Sequence, residues 1–116
     1  VKILIVEDEK IQRNFLGKAL IRLGHYYLEA NNGIECLDIV KHETFDLIVI
    51  DLKMPIMGGI ETIEKLRESG NQTPILICSA RGSDSDLVNA IHAGAQNYIL
   101  KGYTLAALKD VINQFK

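Results

Sequence analysis

Five times along the chain a short apolar run gives way to a stretch whose apolar residues recur at helical spacing. Residues 2–6 read as a continuously buried strand, after which Ile11, Phe15, Leu16, Ala19, Leu20 and Leu23 form a helical stripe closed by Gly24. Tyr26, Leu28 and Ala30 alternate with Tyr27 and Glu29, as in a strand with one wetter face. A helix after Asn32 is expected to turn Ile34, Leu37 and Val40 inward. The strand at 46–50 follows, and Gly58-Gly59 lead into a helix carrying Ile60, Ile63 and Leu66. Pro74 opens the strand Ile75-Leu76-Ile77-Cys78, where its missing N–H does least harm. Ser83 or Asp84 caps the next helix, which is expected to bury Leu87, Val88 and Ile91 and to end near Gly94. Tyr98-Ile99-Leu100 is the last strand, and Thr104 caps a helix with Leu105, Leu108, Val111, Ile112 and Phe115 on one side.

Strands that alternate with helices and are apolar throughout belong to a parallel sheet covered on both faces. Right-handed crossovers make the natural solution a doubly wound α/β fold, (βα)5, and five units are too few for a closed barrel. Sites in such sheets lie outside the carboxyl ends of the strands. The 116 residues suit one domain, 1–116, with a core that needs no staples. The chain opens at Val1 without Met and is in strand by residue 2, as expected of a processed start or a domain cut from a longer protein. A net charge of −2 argues against nucleic acid as a partner, and no apolar stretch is long enough to contact a bilayer by crossing it. Cys36 and Cys78 are too few for a disulfide framework or a zinc site and read as reduced thiols of a cytoplasmic protein. His25, His42 and His92 share no ligand spacing and are expected at the surface or at helix ends.

The residues just after the strands carry the chemistry. They are Glu7 and Asp8, Asn31, Asp51, Ser79 and Lys101. In a 2-1-3-4-5 strand order the first, third, fourth and fifth strands are neighbours, so three acids, a hydroxyl and an amine converge on one rim. Two carboxylates about 4 Å apart repel by about 4 kcal/mol at an effective dielectric near 20, so three stay ionised together only around a cation. An all-oxygen set suits Mg²⁺ rather than zinc. A carboxylate bracketed by a metal and an ammonium is placed for phosphoryl transfer, with Asp51 as nucleophile, Lys101 neutralising phosphoryl oxygens and Ser79 donating to one of them. Lys101 is expected to pair with Asp51 in any case.

Val6-Glu7-Asp8, Asp51-x-x-Met54-Pro55-x-Met57-x-Gly59, Ser79-Ala80, Gly94-Ala95 and Tyr98-Ile99-Leu100-Lys101 occur in this order. With them the chain resembles, end to end, the receiver domain of two-component response regulators, of the chemotaxis-regulator, flavodoxin-like kind. The resemblance implies that Asp51 accepts a phosphoryl group from a histidine kinase or a histidine phosphotransfer domain. It implies an Mg²⁺ ion held by Asp8, by Glu7 through water, by Asp51 and by the backbone carbonyl of Lys53. Ser79 and Tyr98 would be the switch pair, and the face of the fourth helix, fifth strand and fifth helix would signal to an effector domain or protein. Such a domain is a self-phosphorylating acceptor with slow autodephosphorylation, not a turnover enzyme. Gly102 stands where Pro is usual in the family, which is expected to loosen that loop, and Gly58 stands where Asp or Asn is frequent, at little expected cost.

Between Arg81 and Lys101 there is no Lys or Arg, so dimerisation through ion-pair ladders on this face is not expected. Lys10, Arg13, Lys18 and Arg22 give the first helix a basic outer face, read as solvated surface bordering the kinase-docking side. Arg81 and Lys53 flank the site and are placed to tune dephosphorylation. Three rivals share features of this pattern. A flavin mononucleotide binder needs phosphate-holding N–H groups where Glu7-Asp8-Glu9 stand. A haloacid-dehalogenase-type phosphatase with an Asp nucleophile needs a second Asp where Lys53 stands, and a cap domain. A degenerate receiver acting only as a docking module would not need Glu7, Asp8, Asp51, Ser79 and Lys101 together.

Overall fold

The computed structural model describes residues 1–80 and 84–115. Its elements are β1 (Lys2–Val6), α1 (Lys10–Arg22), β2 (Tyr26–Ala30), α2 (Gly33–Ile39), β3 (Leu47–Ile50), α3 (Gly59–Glu68), β4 (Ile75–Ser79), α4 (Asp84–Ala93), β5 (Asn97–Leu100) and α5 (Leu105–Asn113). All strand pairs are parallel, in the order β2-β1-β3-β4-β5.

Side chains of a strand alternate between faces, so a strand covered on both sides must be apolar at every position. The odd and even residues of the central strands accordingly build two cores. Leu4, Val6, Ile48, Ile50, Ile75 and Ile77 pack with Ile63, Leu66, Leu87 and Ala90 under α2, α3 and α4. Ile3, Ile5, Leu47, Val49, Leu76 and Cys78 pack with Leu16, Leu20, Leu108, Val111 and Ile112 under α1 and α5.

Local signals set the helix ends. Asn32 Oδ1 accepts the Glu35 N–H at 2.9 Å, and Thr104 Oγ1 accepts the Ala107 N–H at 3.0 Å. Gly24, at φ +88°, lets the chain leave α1 in the left-handed conformation. A cap at Ser83 falls outside the described residues.

Several apolar positions expected inside are not. Ile11 is 83% and Phe15 63% exposed, because the first turns of α1 stand at the strand tips, where no further layer covers them. Ile34 on α2 is exposed, as are Val88 and Ile91 on α4. The buried pair of α4 is Leu87 and Ala90, the i, i+3 line facing the sheet, and the small Ala90 escapes a search for large apolar residues. On the edge strand β2, Tyr26 and Leu28 are exposed while Tyr27 packs inward. Tyr27 fills the space over Gly17, where an added Cβ would come within 2.5 Å of its ring. Leu105 on α5 is partly exposed at 39%.

Cys36 and Cys78 are buried and unpaired, and burial pushes both thiols up to about 12. His25 is not at the surface; it is buried just past the end of α1, whereas His42 and His92 are exposed. Among the described residues no helix is long and apolar enough to cross a membrane.

Candidate functional site

The main chain continues the sheet's hydrogen bonding just past the strands and so sets the position of each tip residue. The Glu7 N–H donates to Ala30 O at 3.1 Å, the Asp51 N–H to Val6 O at 3.0 Å, and the Lys101 N–H to Ser79 O at 2.7 Å. The result brings oxygen atoms of Glu7, Asp8 and Asp51 within 4.8 Å of one another. Lys101 Nζ lies between two of them, 3.0 Å from Glu7 Oε1 and 3.3 Å from Asp51 Oδ2. The pairing expected with Asp51 is present, and the shorter contact to Glu7 accompanies it.

Glu7 and Asp51 are 5% and 7% exposed, low for acids, and this decides their electrostatics. Burial raises the Glu7 carboxyl from 4.5 to about 7. The hydrogen bonds from Lys101 and from the Glu9 N–H, at 3.2 Å, oppose that rise, while the charge of Asp51 adds to it. Burial alone would pull Lys101 down, but the Glu7 hydrogen bond and the charges of Asp51 and Glu7 carry it above its ordinary value. Among the described residues one ammonium thus pairs with two of three clustered acids, and that set is deficient in positive charge. A hard divalent cation such as Mg²⁺ fits that deficit, since every acidic donor is oxygen and Asp8 keeps partial access to solvent.

Ser79 is 2% exposed, and its hydroxyl reaches the Ala80 carbonyl at 3.4 Å, a long bond easily given up. Tyr98 points outward, 46% exposed, and borders a shallow cavity of 310 Å³ with Asp84, Leu87, Val88, Ile91 and His92. Lys53 is exposed; Arg81 lies outside the described residues. A second cavity, of 270 Å³, runs from Asp51 and Lys101 past Cys78 to Ile11, Phe15 and Tyr103.

The structure gives a physical reason for Gly59 and Gly102, both already named in the sequence, and adds Ile56, which was not. Gly59 is required, because a Cβ there would lie 2.5 Å from Asp51 O and 2.8 Å from Leu52 Cα, so α3 begins against the backbone of Asp51 itself. Gly102 adopts φ +94°, which the proline ring at about −65° could not do. Ile56, 76% exposed in the loop after Asp51, takes φ +71°, left-handed and costly for a β-branched residue. Ile56→Gly is expected to raise stability by about 1 kcal/mol in urea unfolding; a loss of stability would show that the Ile side chain holds the loop.

This parallel sheet, with acids and a lysine gathered at its carboxyl rim, is the arrangement of two-component signalling domains. The chain belongs to the response regulator receiver domain family, whose model matches residues 3–113. It is 36% identical over 108 residues to the response regulator MprA of Mycobacterium sp. (strain KMS), and equally so to MprA of Mycobacterium tuberculosis. Those matches cover 93% of this chain and 47% of theirs, so the chain spans about half the length of the curated relatives it matches. Among solved structures it resembles the receiver domain of the Francisella response regulator 1452 (28% identity, TM-score 0.89, covering 98% of this chain and 94% of that one). It also resembles the receiver domain of the sensor histidine kinase PA1611 from Pseudomonas aeruginosa (25% identity, TM-score 0.89, 98% and 95%), which has a magnesium ion coordinated in its active-site cleft. The chain is thus a receiver domain of phosphorelay signalling.

Proposed function

We propose that residues 1–116 act as a phosphoacceptor that takes a phosphoryl group onto Asp51 from a phosphohistidine of a histidine kinase or phosphotransfer domain. The observation that carries this is the meeting of the Glu7, Asp8 and Asp51 carboxylates, with Lys101 Nζ against two of them, Glu7 and Asp51. Mg²⁺ would be held by Asp8 and Asp51, by Glu7 through water and by the main-chain carbonyl of Lys53, and when bound it would supply positive charge toward the phosphoryl oxygens. An oxygen of Asp51 attacks phosphorus, the P–N bond breaks, and the imidazole leaves with the electron pair and takes up a proton. Lys101, between Glu7 and Asp51, offsets charge on the transferred group, and the weakly held Ser79 hydroxyl is free to donate to it.

The modified Asp51 carries about −1.5 to −2 charges, and drawing Ser79 toward it vacates space behind β4 into which Tyr98 turns. Shifting such a pair of states from 1:99 to 99:1 takes about 5.5 kcal/mol. The readout surface is then α4, β5 and α5, met by an effector domain or protein. The donor docks beside α1, where Ile11 and Phe15 lie exposed at the mouth of the site. The domain is cytoplasmic, contacts neither membrane nor nucleic acid directly, and undergoes slow autodephosphorylation rather than turnover.

Incubation with a small acyl phosphate should add one phosphoryl group only when Mg²⁺ is present, labile to hydroxylamine and located on Asp51 by mass spectrometry. A hydroxylamine-stable phosphate on serine or histidine would overturn the assignment.

A further inference from the structure

Arg13 sits on the helix face whose other basic residues, Lys10, Lys18 and Arg22, are exposed, yet its side chain is only 11% exposed. Its Nη1 donates to the carbonyl of Glu7 at 2.8 Å and to that of Asp8 at 3.0 Å. Its main-chain N–H donates to Glu9 O at 3.0 Å. Three consecutive carbonyls of the loop between β1 and α1 therefore end on one residue. Glu29 Oε2 is 3.6 Å from Nε, an ion-pair distance without a hydrogen bond. The directional bonds of the guanidinium group thus go to the loop.

A trans peptide is planar, with its N–H and C=O pointing opposite ways. Turning the Asp8 carbonyl toward Arg13 turns the Glu9 N–H away from it, and that N–H donates to Glu7 Oε2 at 3.2 Å. The second Glu7 oxygen is held by Lys101 at 3.0 Å. Arg13 thereby fixes, through one peptide plane, the orientation of a carboxylate it does not itself hydrogen-bond.

We propose that Arg13 is a positioning residue for the cation site, holding the Glu7–Asp8 main chain so that both carboxylates face the ion. This rests on the metal-dependent reading above. Charge and geometry predict opposite signs. A cation removed from beside a divalent-ion site should tighten metal binding by Coulomb's law alone. Loss of an outer partner that orients the ligands should instead weaken it, by about tenfold.

The test follows backbone amide NMR shifts of the metal-free protein during Mg²⁺ titration, for the wild type, Arg13→Met, Arg13→Lys and Asp8→Asn. Arg13→Met is expected to raise the Mg²⁺ dissociation constant about tenfold and to speed hydrogen exchange at the Glu9 amide. Arg13→Lys, with a single ammonium in place of a fork, should fall between it and the wild type. Unchanged or tighter Mg²⁺ binding by Arg13→Met would overturn the proposal. If Arg13→Met does not fold, Arg13→Lys decides, and wild-type affinity and Glu9 exchange in it would overturn the proposal equally. Asp8→Asn should lose saturable binding; wild-type affinity in that variant would instead remove the metal reading itself, and this proposal with it.

Discussion

Asp51→Asn is expected to abolish phosphoryl uptake while leaving the domain folded. The amide has nearly the shape of the carboxylate, and the main-chain bond from residue 51 to Val6 O does not depend on the side chain. What this removes is the anionic oxygen proposed to attack phosphorus. The neighbouring Glu7 is no substitute, because one of its oxygens is engaged by Lys101 and the other by the Glu9 N–H. A second readout distinguishes this variant from a merely damaged protein. The Asp51 charge is one of the influences raising the Glu7 carboxyl, so in Asp51→Asn the Glu7 carboxyl should titrate lower, followed by side-chain carbon NMR. Phosphoryl incorporation at the wild-type level in Asp51→Asn would show that the acceptor lies elsewhere.

Without divalent metal, Glu7 is expected to make the domain less stable as the pH rises from about 5 to 8. The folded-state value is about 7, against 4.5 for the ordinary group. Between those values the folded protein holds a proton that the unfolded chain has released, so stability falls with rising pH. The penalty is absent below about 4.5, grows through the window and is complete above about 7. At 1.36 kcal/mol per pKa unit it amounts to about 3 kcal/mol, an upper figure because Lys101 shares the proton balance. The proposed Mg²⁺ site requires the ionised form, so the stabilising effect of Mg²⁺ should be large at pH 8 and small at pH 5. Urea midpoints of the wild type and Glu7→Gln, with chelator and with Mg²⁺, isolate this group. A metal-free difference between the two proteins that stays constant from pH 5 to 8 would refute the linkage.

The strands were the most legible part of the chain. Ile3-Leu4-Ile5-Val6, Leu47-Ile48-Val49-Ile50 and Ile75-Leu76-Ile77-Cys78 carry no polar residue, and only burial on both faces accounts for that. Their tips were legible for the same reason, since an acid or a lysine that ends such a run stands at the rim. Helix faces were read less well. A helical stripe shows which residues share a side, but not how far the helix overhangs the sheet. Ile11 and Phe15 belong to the α1 stripe and yet stand exposed beside the site, and α4 buries Ala90 in place of Val88 and Ile91.

The amino-acid sequence by itself determined the (βα)5 alternation, the strand-tip identity of Glu7, Asp8, Asp51, Ser79 and Lys101, the helix start after Asn32 and the cap at Thr104, because each follows from local periodicity or from a side chain reaching a nearby backbone group. Tertiary structure alone decided that Lys101 holds Glu7 as well as Asp51, that burial lifts Glu7 to about 7, and that Arg13 turns inward onto the Glu7–Asp8 carbonyls. Desolvation and the Lys101 bridge depend on residues brought together from distant parts of the chain, and which side of α1 faces the loop depends on how the helix docks; no reading of neighbouring residues contains either.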